Sequence, residues 1–341
     1  MKNIFLLFLI IPFTFEIVSA QQPEWITKRP INSTYYIGIA SAPKTTMSYQ
    51  KIAKRNALDD LLSEIRVTIQ SVSILNQIDK NGTFKEEFES TIKSSVADEI
   101  ENLELVATYE DNDNYYVYYR ITKEEYAAQK QRNREKSQKM ALQFFEKAQY
   151  AESSKSYVTA IDFYLQSLMA IKPYWGENLE VTYGEQSIFL AIESYTQLQR
   201  LLDQINLLPG RNTLNFASRE ENKSLVIKVE DQEDLPIAKI PLRVTYLPQR
   251  AQFKNYFTNE NGEASVTISL NNNTNFNLSN QLEVILNLKN FSKGNTDDRF
   301  YEYLMQSLRC PTQKIDLIVP DAITSGFNRV EGDLFPFNLD Y

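Results

Sequence analysis

The chain has 341 residues, 43% of them hydrophobic, and its 36 lysines and arginines face 44 aspartates and glutamates for a formal charge of −8. That length suits two or three globular domains, the composition excludes a disordered chain, and the acidic balance excludes nucleic acid as the main partner and disfavours anionic membrane surfaces. The complete absence of histidine removes Ser-His-Asp and Cys-His nucleophile systems, the commonest metal ligand and the commonest general base.

At the N-terminus, Lys2 precedes an apolar run from Ile4 to Phe15, and Val18-Ser19-Ala20 ends in a small residue. This pattern predicts a secretory signal peptide over residues 1–20, cut after Ala20. No later segment approaches the roughly 20 apolar residues that span a bilayer, so no transmembrane segment is expected after cleavage. Gln21 and Gln22 stand where a lipoprotein carries its acylated cysteine. The single cysteine, Cys310, permits no intramolecular disulfide and is expected to be a buried bystander.

Residues 23–126 read as β-α-β-α-β-β, an α+β sandwich with helices packed on one sheet. YYIGIASA at 35–42 is strand-like, and Pro43 ends it before Thr45, Thr46 and Ser48 offer helix caps. Ala53, Ala57, Leu61 and Ile65 then recur every four residues on one helical face. Ile65, Val67 and Ile69 alternate as a strand, and Asn81-Gly82 marks a turn. Phe84, Phe88, Ile92, Val96 and Ile100 step by four along a second helix. Residues 101–122, turning at DNDN (111–114), close the domain as a hairpin.

Gly38 is followed by Ala40 and Ala42, not by the further glycines of a dinucleotide or phosphate loop. It is expected to let a helix or an aromatic side chain approach the strand. Asp59-Asp60 is the most visible acidic pair, but adjacent helical positions diverge by about 100° and cannot easily face one substrate.

The order of PEWI (23–26), YYIGIASA, a helix with Ala53, Ala57, Leu58 and Leu61, IRVTIQS (65–71) and YYVYYRITKEEY (115–126) resembles the LPP-twenty lipoprotein family. A similar domain forms the N-terminal part of a periplasmic flagellar-assembly protein. The resemblance implies an envelope location and a non-catalytic surface or assembly role, and it carries over no catalytic residues. The chain departs from the family in lacking the lipid-bearing cysteine.

Residues 127–206 are charged and helix-favouring. The cluster of Lys130, Arg132, Arg134, Lys136 and Lys139 reads as the solvated face of a long helix. Ala148, Tyr157, Ala160, Tyr164, Ser167, Leu168 and Pro173 fall near the spacing of a tetratricopeptide helix pair, and Phe189, Ile192, Tyr195 and Leu198 stand in phase on a further helix. So short an array must pack on a neighbouring domain or a partner. Tyr157, Tyr164, Tyr174 and Trp175 are the expected partner-contact residues, with a plain connecting hairpin as the other reading.

Residues 222–320 carry alternating or apolar runs of strand length. Asn261-Gly262 is expected to turn a hairpin between Phe257 and Ala264, Val266 and Ile268. The region resembles bacterial immunoglobulin-like or transthyretin-like β-sandwich modules, which implies a spacer or adhesion role. Asp231, Glu233 and Asp234 lack the spacing of a calcium loop and read as a solvated turn. The tail, 321–341, holds Phe327, Phe335, Phe337 and Tyr341.

The expectation is therefore a multidomain α+β protein, exported to the periplasm or associated with the outer membrane, with no catalytic, cofactor or metal residues. Its partners would be other envelope proteins. The alternative is a carbohydrate- or peptidoglycan-binding protein that stacks sugars on YYVYYR or on Trp25. A carboxylate-based hydrolase is the third reading.

Overall fold

The computed structural model describes residues 22–65, 70–71, 73–79, 84–217, 221–246, 253–269, 281–291 and 298–318, without the side chains of 94–99. The expected signal peptide, the strand residues Val67 and Ile69, the turn at Asn81-Gly82 and the aromatic tail lie outside the described residues. Within them the protein is mixed α+β, with eight α-helices and several small, largely antiparallel sheets. No helix among the described residues is long and apolar enough to cross a membrane.

The first part of the chain runs α1 (Glu24–Thr27), β1 (Tyr35–Pro43), α2 (Tyr49–Ser63), α3 (Ile74–Ile78), α4 (Lys85–Glu99), β2 (Glu104–Glu110), β3 (Asn114–Thr122) and α5 (Lys123–Ser153). It continues through α6 (Tyr157–Ala170), β4 (Glu180–Tyr183), β5 (Gln186–Phe189), α7 (Leu190–Leu202), β6 (Asn206–Pro209), β7 (Thr213–Asn215) and β8 (Asn222–Glu230). The last elements are β9 (Pro241–Tyr246), β10 (Phe253–Phe257), β11 (Glu263–Ser269), β12 (Gln281–Leu286), α8 (Arg299–Ser307) and β13 (Thr312–Ile318). These elements divide between two compact units, one of residues 1–67 with 90–131 and one of 68–89 with 132–341.

In the first unit, β1, β3 and β2 form an antiparallel sheet in that order. Strand alternation puts Ala40, Ala42, Val117 and Tyr119 on one face, where Ala53 and Ala57 of α2 pack. Gly38 makes that approach possible: a Cβ there would overlap the Ala57 carbonyl oxygen and lie 3.0 Å from Leu61 Cβ. Ser48 occupies the N-cap of α2, but its φ of 61° turns the hydroxyl away from any capping bond. The expected hairpin of β2 and β3 is present, its turn held by Asp111 Oδ1, which accepts from the backbone N–H groups of Asp113 (2.9 Å) and Asn114 (2.7 Å).

The outer edge of β1 is closed by side chains. Asn32 Oδ1 accepts from Tyr35 N (3.2 Å), Arg29 donates to Ile37 O (2.7 Å), Asp60 Oδ2 accepts from Ile39 N (2.8 Å), and Asn56 donates to Ser41 O (3.2 Å). Arg29 in turn pairs with Asp60 at 2.5 Å and Glu64 at 2.8 Å.

In the second unit, α5 and α6 run antiparallel: Ala141 meets Ser167, and further along α5 Phe145 meets Tyr164. Small buried residues, Ala141, Ala148, Ala160, Ser167 and Ser194, let the helices close in. A two-stranded ribbon, β4 with β5, interrupts the helices before α7.

The C-terminal strands form a five-stranded sheet, β10-β9-β12-β13-β7, and a three-stranded sheet, β11-β8-β6. Only the β13–β7 pairing is parallel among the described pairings. Alternate residues are buried: Leu225, Ile227 and Val229 on β8; Ala264, Val266 and Ile268 on β11; Leu282, Val284 and Leu286 on β12. The Asn261-Gly262 turn exists, with Gly262 at φ +72°, but it does not join a hairpin. β10 pairs with β9 and β11 pairs with β8, so the turn passes the chain from one sheet to the other. A long-range bond holds it there: Gly262 O accepts from Val229 N (2.7 Å), fixing the turn against β8.

The domain limits also fall differently from 23–126, 127–206 and 222–320. The helices and the C-terminal strands share one unit, and residues 68–89 join it. Leu75 N bonds to Trp175 O (3.1 Å), and Phe84 stacks on Tyr303 with centroids 4.1 Å apart.

Candidate functional site

An open groove of about 700 Å³ lies between the end of α5 and the start of α6. Glu146, Lys147 and Tyr150 line it from α5, and Ser156, Thr159 and Phe163 from α6. Phe144 and Phe163 stack with centroids 6.2 Å apart, and Lys147 Nζ sits over both rings, at 5.6 and 5.7 Å. Tyr150 is 76% exposed. The surface thus combines an apolar floor, the Lys147 ammonium with no ion-pair partner among the described residues, and the exposed Tyr150 ring at the rim.

The four aromatic residues expected to touch a partner do not lie on this surface. Trp175 and Tyr164 are 0% exposed and Tyr174 is buried. The Trp175 indole N–H donates to Leu168 O at 3.0 Å. The Tyr164 hydroxyl donates to Glu152 Oε2 at 2.8 Å, and burial first, then that bond, pushes the phenol far above its ordinary pKa. Tyr157 is half-buried and donates to Asp231 Oδ2 at 2.8 Å, facing the C-terminal strands. These rings hold the helices together, and the surface left for a partner is the neighbouring stripe of Tyr150, Thr159 and Phe163. Residues 157 and 159 are two helical steps apart, about 200° around the axis. Sequence spacing identifies the packed stripe and, one or two positions away, misses the exposed one.

Asp231 is buried and not a solvated turn residue. Besides Tyr157, it accepts from the backbone N–H groups of Glu233 (2.8 Å) and Leu235 (3.0 Å) and lies 3.7 Å from Lys155 Nζ. Burial alone would raise its carboxyl; the tyrosine, the two N–H groups and the lysine outweigh it and hold it below the usual aspartate range. Glu233 pairs with Lys155 at 2.5 Å, so this trio joins the first turn of α6 to the loop after β8. No group of three or more acidic or cysteine side chains placed for a metal ion occurs among the described residues.

Asp60 is committed to the edge of β1, and Asp59 points to solvent, so the two do not face one substrate. On the sheet face opposite α2, Trp25 packs on Tyr118 at 5.8 Å and Tyr109 on Tyr116 at 6.0 Å, both tilted. Arg120 lies over Tyr35 at 4.4 Å and grips Glu104 through Nε (2.7 Å) and Nη2 (2.6 Å).

No family model, curated protein or solved structure matches this chain.

Proposed function

We propose that the protein is a non-catalytic component of the cell envelope that captures an extended segment of a partner protein in the groove between α5 and α6. The observation that carries this reading is Lys147, held over Phe144 and Phe163 beside the exposed Tyr150, with no carboxylate paired to it among the described residues. Such a surface fits a peptide that presents an aliphatic or aromatic side chain next to an acidic one. A tetratricopeptide-like reading of α5 to α7 belongs to the proposal and draws support from the antiparallel approach of α5 and α6 over small residues. So does a β-sandwich reading of the two C-terminal sheets, supported by their alternating buried residues. An envelope partner draws support from the resemblance of residues 23–126 to the LPP-twenty family and from the pattern of residues 1–20.

The test is a photo-crosslinking amino acid at position 150, in the full chain and in cells. A discrete adduct with one envelope protein, lost on Lys147→Glu, is the expected result. Lys147 is exposed, so that substitution leaves the fold intact. No adduct, or one indifferent to the charge reversal, overturns the assignment.

The second reading, sugar binding, draws on the gathering of Trp25, Tyr35, Tyr109 and Tyr116 on one half-exposed sheet face. Their tilted ring-on-ring contacts occupy faces that a sugar would need, which ranks it second. Co-sedimentation with purified peptidoglycan that is lost on Tyr116→Ala would favour it.

A further inference from the structure

On the outer side of the five-stranded sheet, Asn255, Arg243, Ile285 and Thr312 stand in one row across β10, β9, β12 and β13. α8 and the residues after it lie over this row and leave a cavity of about 390 Å³. Its walls are apolar where Ile285, Leu288, Met305 and Leu308 contribute, and polar where Arg243, Asn287, Gln306 and Thr312 and the Lys289–Glu302 pair contribute, with Cys310 among them. The size falls in the range of pockets that enclose small organic ligands.

Arg243 is the unusual member. Its Nε is buried and has no hydrogen-bond partner. No carboxylate pairs with its guanidinium among the described residues, and its one aromatic contact is with Phe253, 5.8 Å from the ring centroid. By contrast, Arg29, Arg120, Arg134, Arg200, Arg299 and Arg309 each hold a carboxylate. A buried guanidinium N–H left without an acceptor is costly, and native proteins rarely leave one so. The acid at the cavity rim does not answer it, because Glu302 is engaged by Lys289 at 2.8 Å. Cys310 does not answer it either. Burial pushes its thiol up to about 11, against the opposing pull of Arg243, so it is mostly protonated at neutral pH, which makes it a poor metal ligand and a slow nucleophile.

We propose that this cavity binds a small organic carboxylate, with its carboxylate on the Arg243 guanidinium and its hydrocarbon part against Ile285, Leu288, Met305 and Leu308. One planar fork of donors matches one carboxylate. The apolar walls fit a hydrocarbon chain and do not fit a phosphate, which would need a second free cation.

Calorimetric titration of the full-length protein with hexanoate tests this, with hexanamide as the uncharged isostere and inorganic phosphate as the alternative anion. Hexanoate should bind one to one, and neither control should bind. Arg243→Gln should weaken hexanoate by about 10-fold or more, the loss expected for a charge-assisted hydrogen bond. Met305→Trp keeps the arginine but fills the cavity, and it should abolish binding, so the proposal stays testable if Arg243→Gln does not fold. Since Cys310 is the only cysteine in the chain, its alkylation rate is an independent readout, and bound hexanoate should slow it. Absence of hexanoate binding, equal binding of hexanamide, preference for phosphate, or hexanoate binding undiminished in Arg243→Gln or Met305→Trp would overturn the proposal.

Discussion

Asp231 concentrates more interactions than any neighbour in its turn, and each favours its charged form. Tyr157, Lys155 and two backbone N–H groups converge on a carboxylate that is nearly out of contact with water. A group held below its unfolded pKa, about 3.9 for aspartate, contributes stability that is fully present above that value and disappears as pH falls through the lower folded one. The melting temperature of the wild type should therefore decline as pH is lowered below about 4. Asp231→Asn should be less stable at neutral pH and should flatten that decline, because it lacks the titrating group. Thermal melts of both proteins from neutral pH downward check this; parallel curves would mean that Asp231 does not carry the linkage. Gly38 and Trp175 make the same point about single residues in apolar contacts. At Gly38 one methyl group would separate α2 from β1, and at Trp175 a ring that reads as a contact residue is wholly enclosed. Residue type was legible at both positions. For Gly38 the surroundings were legible too, because a lone glycine in a strand has few other uses. For Trp175 they were not, because a tryptophan after a helix serves packing and recognition equally well.

Elements with a regular local pattern could be read in advance, and pairings between distant elements could not. The β2–β3 hairpin carries its own turn chemistry at Asp111 to Asn114, and α2 shows its buried face in the spacing of Ala53, Ala57 and Leu61. β4 and β5 are four residues each, too short to show a period. The turn at Gly262 looks the same whether its strands pair with each other or with β9 and β8. The edge of β1 is a further case. An open strand edge invites pairing with another chain, and here Arg29, Asn56 and Asp60 cover it. Asp60→Ala leaves the Ile39 N–H without its acceptor, which should cost about 1–2 kcal/mol and raise self-association. Glu64→Ala removes one partner of Arg29 but leaves every capped backbone group in place, so it should be close to neutral. Chemical denaturation and light scattering on the two variants separate capping from simple loss of charge. Equal behaviour of the two would end the capping account.

Across the whole molecule the two units share the chain in alternation: the first takes residues 1–67 and 90–131, the second 68–89 and 132–341. A contiguous domain over 23–126 is what the order of strands and helices predicts, because periodicity along a sequence says nothing about which distant segment covers an apolar face. The face in question belongs to residues 74–88. Ile74, Leu75, Phe84 and Phe88 are all buried. The backbone N–H of Leu75 is taken by Trp175 O, and Phe84 and Phe88 pack on Phe300, with centroids 6.2 and 5.5 Å away. Each of those partners lies beyond residue 131. A fragment ending at 126 keeps the sheet and α2 but strips the cover from four large apolar side chains. At about 1.5–3 kcal/mol for burying each, the loss rivals the whole stability of a small domain. Fragment 23–126 should therefore bind a hydrophobic dye and self-associate where the full chain does not. Adding fragment 132–341 in trans should reduce the dye signal by restoring Trp175 and Phe300. A sharp, dye-free melt of 23–126 alone would return residues 68–89 to the first unit. It would also make the contacts to Trp175 and Phe300 dispensable, and the interleaving of the two units a matter of chain path without energetic weight.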